Sequence, residues 1–444
     1  MTPRLPIGNG PVLVPVADAD PKNLELLLNT LMGHDTSEYI PYRFTLPVPD
    51  KKSSEKITTA YPTNIYKNLN ITKIDKYGRG SEYFSSTTGS VQSSGSFAMC
   101  FYDTRSWRGY SSYPVFSKIF LSNGTPVHTL KGHTSWVLAV SWSPDESRIA
   151  TGSMDNTGHT KWVTSLAWEP YHVQKPGEPR LASSSKDATV RIWSTNQQKI
   201  ELVLSGHKGS VSCVKWGGTG FIYTASQDKT VKVWNAKDGT LTHSLNAHAH
   251  WVNHLALSTD FVMRTAYYDH TGKIPATDEE KVKKANERFL KASKIQGEIV
   301  ERLVSASDDF TMYLWEPSKQ TKPVARMLGH QKQVNHVTFS PDGLTIASSG
   351  FDNHTKIWNA RDGKFINTLR GHVAPVYQCA FSPDSRLLVT GSKDTTLKVW
   401  DMRTHKLAED LPGHKDEVYA VDWSPDGQKV GSGGKDKAVR IWRH

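Results

Sequence analysis

Cysteine is scarce: Cys100, Cys213 and Cys379 are the only three in 444 residues. Odd in number and widely spaced, they exclude a disulfide framework and a cysteine zinc site, and they fit a reducing compartment. Long apolar runs are missing too, with a mean hydropathy of −0.51, so no membrane span is expected. No signal peptide is visible over residues 1–20, where Pro and Gly interrupt the apolar positions. Acidic residues fall short of basic ones, 43 against 54, giving a formal charge of +11 and a pI near 9.3. That balance favours acidic surroundings, of which RNA-rich particles are the commonest, and it equally describes a merely basic surface. A phosphate loop is absent as well: Gly217-Gly218-x-Gly220 lacks a Lys-Ser/Thr and a following helix, so it reads as a turn. Residues 1–200 hold no His/Cys/Asp/Glu cluster at metal-ligand spacing. No cofactor, no metal and no small-molecule substrate is expected.

What the chain has is repetition. His133, His159, His207, His248, His330, His372 and His414 recur, and three intervals of 41, 42 and 42 residues match the roughly 40–45 of one four-stranded repeat. In the unit opening at Gly206-His207, residues 211–216, 221–225, 230–234 and 241–245 alternate as four strands. One such sheet cannot bury both faces, so the units must stack radially around a channel, each covering its neighbour. The fold class is therefore all-β, a WD-repeat β-propeller of about seven units over residues 125–444, one of them truncated.

Six of the units also carry an Asp six residues before a Trp: Asp187, Asp228, Asp309, Asp352, Asp394 and Asp436 before Trp193, Trp234, Trp315, Trp358, Trp400 and Trp442. Imidazole donates from one nitrogen while accepting on the other, so His, a strand hydroxyl, Asp and Trp can bracket a blade. The expected brackets include His207/Asp228/Trp234, His330/Asp352/Trp358, His372/Asp394/Trp400 and His414/Asp436/Trp442. His, Asp and Ser together also suit a hydrolase, but an active site occurs once and these sets occur per blade. A non-enzymatic protein is expected.

Three places break the pattern. Between His133 and His159 only 26 residues intervene: the turn at Ser153-Met154-Asp155 is followed at once by Gly158-His159, without a third strand, its Trp or a fourth strand. Between His248 and His330 the interval is 82, and the excess near 263–301 places Val282, Ala285, Phe289 and Ala292 on one face of a charged, protruding helix. At the end, Trp442-Arg443-His444 follows a third strand, so the last blade is expected to take a fourth strand from residues 125–130, closing the ring. Ahead of the propeller, residues 12–16 and 42–46 read as strands and 23–32 as an amphipathic helix, a partial α/β domain over residues 1–50. Residues 51–124 read as an irregular or disordered linker, rich in Ser, Thr, Gly and Tyr.

Several stretches lie outside the general repeat pattern. They include residues 162–170 (WVTSLAWEP), 214–218 (VKWGG), 250–254 (HWVNH), 307–311 (SDDFT) and 411–419 (LPGHKDEVY). In these, in order, the chain resembles the Notchless family of WD-repeat ribosome-assembly proteins over about three quarters of its length. The resemblance implies an N-terminal ubiquitin-like domain and an eight-bladed propeller acting in the nucleus and nucleolus on the large (60S) ribosomal subunit. It further implies that the propeller sits on the pre-60S particle, while an acidic side chain of the ubiquitin-like domain engages a metal site of midasin, a giant AAA-type ATPase. Neither the latter half of that domain nor the family's first blade is recognisable in residues 57–124, so no metal-linking residue is carried over. Animal members of the family are also associated with Notch signalling.

The third residue after each His is expected at the channel rim. Trp136, Trp162 and Trp251 stand there, against Ser210, Gln333, Pro375 and Glu417 in other blades. Exposed Trp suits a protein partner, and the neighbouring Lys161, Lys208, Lys332 and Lys415 suit RNA backbone, so rRNA contact is a secondary expectation. Rings packed over the channel mouth would place the same residues there without a partner. Two other roles fit a propeller: a Notch-signalling adaptor and a substrate receptor of a ubiquitin ligase. No helical docking motif for the latter is present.

Overall fold

The computed structural model describes residues 132–443 apart from 157, 176, 270–274, 296 and 437; before residue 132 it describes strand segments. The chain divides into two units, Met1–Leu69 and Asn70–His444. In the first, Thr45–Asp50 pairs antiparallel with Ser53–Thr59. The strand expected at 12–16 and the helix expected at 23–32 lie outside the described residues.

In the second unit the described strands form a ring of eight antiparallel sheets, each touching the next. Blade 1 is built from Tyr83–Phe84, Ser90–Val91, Phe97–Tyr102, Phe116–Phe120 and Pro126–Lys131. Among the described residues blade 2 has two strands, Val137–Trp142 and Ile149–Ser153. Five four-stranded blades follow, with innermost strands Val163–Trp168, Val211–Trp216, Val252–Leu257, Val334–Phe339 and Val376–Phe381 for blades 3 to 7. Blade 8 comprises Val418–Trp423, Lys429–Gly434 and Val439–Arg443, and its fourth strand is Thr72–Lys73.

Two expectations are corrected here. The closing strand of blade 8 is Thr72–Lys73, paired Thr72↔Arg443 and Lys73↔Trp442, and not residues 125–130. Those residues instead lie in or beside Pro126–Lys131, which pairs with Phe116–Phe120 as the outer strand of blade 1. The reason is the repeat's own order: a strand just before a Gly-His pair closes the unit behind it. The segment read as an irregular linker thus supplies an eighth sheet. Its strands escaped notice because two span only two residues each, too short for a visible period of two.

Local chemistry makes each blade. In blade 4, Asp228 accepts from the backbone N–H and hydroxyl of Thr230, while its own N–H donates to Ser226 Oγ. That turn joins the second strand, Phe221–Ser226, to the third, Thr230–Asn235, and holds Lys229 at φ 72°. Each innermost strand of blades 3 to 8 has a register shift after its first Val. A bulge re-aims the residue it contains; here Thr164, Ser212, Asn253 and Asn335 donate to backbone carbonyls of the next blade's inner strand. Blades are thereby latched in sequence around the channel.

The blade 5 excess forms α1, Asp260–Thr265, and α2, Asp278–Ser293. Thr277 caps α2 by accepting from the Glu280 N–H, and Asp278, Glu279 and Glu280 fill its first turn, where the helix dipole favours acids. The expected protruding helix does not protrude. Its Phe289 stacks on His172 of the loop after blade 3's first strand, with ring centres 4.6 Å apart, and sits on Gly218, where a Cβ would meet the ring at 2.2 Å.

Candidate functional site

Six brackets share one wiring. In blade 4, Trp234 Nε1–H donates to Thr224 Oγ1 (2.9 Å), which bonds His207 Nε2 (2.7 Å), whose Nδ1 bonds Asp228 (2.7 Å). The sets at His330/Ser348/Asp352/Trp358, His372/Thr390/Asp394/Trp400 and His414/Ser432/Asp436/Trp442 repeat it, with distances of 2.7 to 2.9 Å. His159/Ser183/Asp187/Trp193 and His248/Ser305/Asp309/Trp315 do the same. Since Trp only donates and an ionised Asp only accepts, a neutral imidazole in this position donates from Nδ1 to Asp and accepts at Nε2 from the hydroxyl. Burial pushes the Asp228 carboxyl up, yet its bonds from His207, Thr230 and the Lys208 N–H outweigh this and hold it well below the usual range. Asp352 is held at about 2 by the same competition, with His330 as the leading opponent of burial. In all six brackets the hydroxyl oxygen accepts from the Trp N–H and is bonded to His Nε2. That is a structural clamp, with no hydroxyl left over to attack a substrate.

Blade 2 keeps half of this. His133 bonds Asp155 (2.5 Å) and Thr151 (2.8 Å), but its blade contains no Trp after Asp155.

A second repeat builds the rim. The N–H of the residue before each bracket Asp donates to the carbonyl of the third residue after the His: Met154 to Trp136, Lys186 to Trp162, Asp308 to Trp251, Phe351 to Gln333, Lys435 to Glu417, at 2.7 to 2.9 Å. Each rim residue therefore has a fixed companion. Trp162, 40% exposed, lies under Lys186 Nζ at 4.2 Å from its ring centre. Trp251, 45% exposed, packs by its neighbour His250 and is bonded to Asp308 through the backbone. Trp136 is half-buried. Adjacent blades 2 and 3 bring Trp136, Lys161 and Trp162 onto one sector. Trp251 is separated from them by blade 4, the exposed Lys415 of blade 8 is separated from them by blade 1, and the exposed Lys332 lies on blade 6, across the ring. The six residues therefore share a face and do not form one patch.

Across from Trp162 stands an aromatic cluster that the rim rule missed. Tyr377 and Tyr419 hydroxyls donate to Glu417 (2.9 and 3.1 Å), Phe351 packs on Tyr377, and Lys393 and Lys435 approach the same carboxylate at 3.7 and 3.6 Å. Tyr377 and Tyr419 occupy the bulge position, where other blades carry Thr164, Ser212 or Asn253; an aromatic at that place was the available signal.

At its other end the channel holds a cavity of about 230 Å³ lined by Lys215, His254, Arg264, His336, Gln378 and Cys379 among others. Helix α1 spans it: Asp260 pairs with Lys215 (3.0 Å) and Arg264 with Asp422 (2.9 Å), tying blade 5 to blades 4 and 8. Burial, aided by Lys215, drives His336 down to about 3, leaving it neutral at physiological pH. Glu301, 1% exposed, accepts from Thr259, Tyr223 and the Gly218 N–H. The glycine pair of the turn is thus the seat on which the insertion rests. Among the described residues no group of three or more His, Cys, Asp or Glu could hold a metal ion, and no helix is long and apolar enough to cross a membrane.

A ring of sheets, Trp-to-Asp clamps and rim pairs together define a WD-repeat protein. The WD domain, G-beta repeat family matches residues 124–158, 156–194, 198–235, 321–359, 363–401 and 405–443, passing over blade 5 with its insertion. Ribosome assembly protein 4 of Chaetomium thermophilum is 54% identical over 391 residues, covering 79% of this chain and 74% of the relative. Its namesake from Saccharomyces cerevisiae is 50% identical over 405 residues, 81% and 76% of the two chains. A Notchless protein homolog from Arabidopsis thaliana matches at 45% over 199 residues, 45% of this chain and 41% of the relative. The chain belongs to the Notchless family of WD-repeat ribosome-assembly proteins.

Proposed function

We propose that this chain is a non-enzymatic scaffold of nuclear and nucleolar 60S subunit assembly, joining the pre-60S particle to the midasin AAA-type ATPase. The observation that carries this reading is the match to two ribosome assembly proteins at 50% identity or more across about three quarters of their lengths. The propeller supports it physically. Its polar sets are consumed in repeated clamps, which leaves faces for binding rather than a reacting group. Trp136, Trp162 and Trp251, with Lys161, Lys332 and Lys415, are the contacts proposed for particle components, protein first and rRNA second. A midasin contact would come from the region before the propeller, and no residue is assigned to it. Adaptor work in Notch signalling is the second reading, favoured by relatives that carry the Notchless name.

The test is to express the tagged full chain in cells and follow it through a sucrose gradient. Co-sedimentation with 60S precursors, nucleolar fluorescence and midasin among the captured proteins are expected. Exclusive sedimentation at the top of the gradient, with signal at the membrane, would sink the reading in favour of the adaptor.

A further inference from the structure

In blades 4 to 8 the bracket Trp shares a buried core cluster with residues of the third and fourth strands of the blade before it. Trp315 lies in one cluster with Val231, Val233 and Leu245 of blade 4; Trp234 with Val190, Ile192 and Leu204 of blade 3; Trp358 with Met312, Leu314 and Met327 of blade 5. Trp400 and Trp442 follow the same rule with Ile357 and Leu369, and with Leu397, Val399 and Leu411. All five rings are 4% exposed or less. Trp193 of blade 3 is the exception. The blade before it has two strands, and both Trp193 and its neighbour Leu181 are only half-buried, whereas the residues at the Leu181 position in blades 4, 6 and 7, Ile222, Ile346 and Leu388, are fully buried.

The floor of this recess is a sheet edge. Ile149–Ser153 pairs with Val137–Trp142 on one side, and among the described residues no strand pairs with the other. Two strands are missing, so at about 4.8 Å per strand the recess is about 10 Å deep. A free edge offers a row of backbone donors and acceptors, and an apolar wall beside it selects alternate side chains. A second copy of this ring would present its own recessed edge, which flanking blades keep from reaching the first; an extended segment from another protein meets no such obstacle.

We propose that the open side of blade 2 is a strand-acceptor site: Ile149–Ser153 takes up an extended partner segment whose alternate apolar residues cover Leu181 and Trp193. The chemistry of that segment is read from this chain's own third strands, where Val231 and Val233, two apart, do the covering in blade 4. This inference rests on the ring alone and stands apart from the ribosome reading.

The probe is a synthetic peptide of residues 229–246, the third and fourth strands of blade 4, added to the full chain and followed by hydrogen exchange. Expected is a slowing of at least about tenfold at amides of Ile149–Ser153, with those of Phe221–Ser226 unchanged as the internal reference. A peptide with V231D and V233D should give no slowing, and Leu181→Asp in the protein should weaken the effect of the original peptide. The proposal is overturned if the original peptide protects nothing at saturation, if the Asp peptide protects equally, or if Ile149–Ser153 is already as protected as Phe221–Ser226 without peptide. Protection that grows with protein concentration alone gives the site to a second copy and overturns the partner assignment.

Discussion

Blades 2 and 4 open with the same words, Gly-His and then a Val-rich strand, yet one stops after two strands and the other completes four. What survives in blade 2 is the local part. His133 still reaches Thr151 and Asp155 because all three lie on or beside the two inner strands. What is lost is cover. The His133 side chain is 21% exposed against 2% for His207, and the cost extends to the next blade, whose Trp193 stays half-open. A propeller blade thus serves its neighbour as much as itself: two strands suffice to close the ring, and the outer two make the inter-blade core.

The largest expected effect breaks this comparison directly. Trp234→Ala removes a ring 2% exposed, in one core cluster with Val190, Ile192 and Leu204, and should cost about 3–5 kcal/mol. Trp193→Ala deletes the same side chain from the half-open site and should cost roughly half as much, since less of the ring left water on folding. Urea unfolding of both variants, followed by far-ultraviolet circular dichroism, measures the difference. Equal losses would mean that blade 2 covers its neighbour in spite of its missing strands.

Much of this was legible in the sequence, and for definable reasons. Residues such as His207, Asp228 and Trp234 recur at fixed offsets because each clamp spans three adjacent strands, so local spacing encodes them. The closing strand Thr72–Lys73 was not legible, since it pairs with Val439–Arg443 across nearly the whole chain and is two residues long. Nor was the seat of the insertion. Gly217-Gly218-x-Gly220 reads as a turn, and only the fold shows Glu301 and Phe289 lying where Cβ atoms would be. The six rim residues were placed on one face by the repeat, but which of them are neighbours depends on blade order, which single units do not contain.

A medium effect sharpens the contrast through pH. Asp352 sits at about 2 in the folded protein against 3.8 as its ordinary value, with burial opposed chiefly by His330. Its folded value is the lower one, so its stabilisation is complete above about pH 4 and is lost as pH falls from there toward 2. Asp352→Asn should therefore lower stability at pH 7 and flatten its fall between pH 4 and 2. Asp155→Asn in blade 2 should cost less at pH 7, because the His133 it pairs with is 21% exposed, against 1% for His330, and water screens the more open pair. A steeper acid loss in Asp352→Asn than in the parent would contradict the assignment.

The smallest effect on stability separates cover from contact. Trp162 stands on the rim of blade 3, the blade whose Trp193 lacks a lid, but its ring is 40% exposed and touched by Lys186. Truncation there removes little buried area, and an exposed cation–π contact contributes only about 0.5–1 kcal/mol. Trp162→Ala should lower the unfolding free energy by no more than about 1 kcal/mol, well below the loss at Trp234. If the rim holds a partner, the same variant should lose most of its co-sedimentation with 60S precursors, because exposed aromatic anchors carry a disproportionate share of binding energy. Lys332→Ala, on the far side of the ring, tests the opposite rim separately. Retention of full binding by Trp162→Ala, with loss in Lys332→Ala, would move the contact from the Trp136–Trp162 sector to the opposite rim and leave Trp162 as a ring that merely shelters the channel mouth.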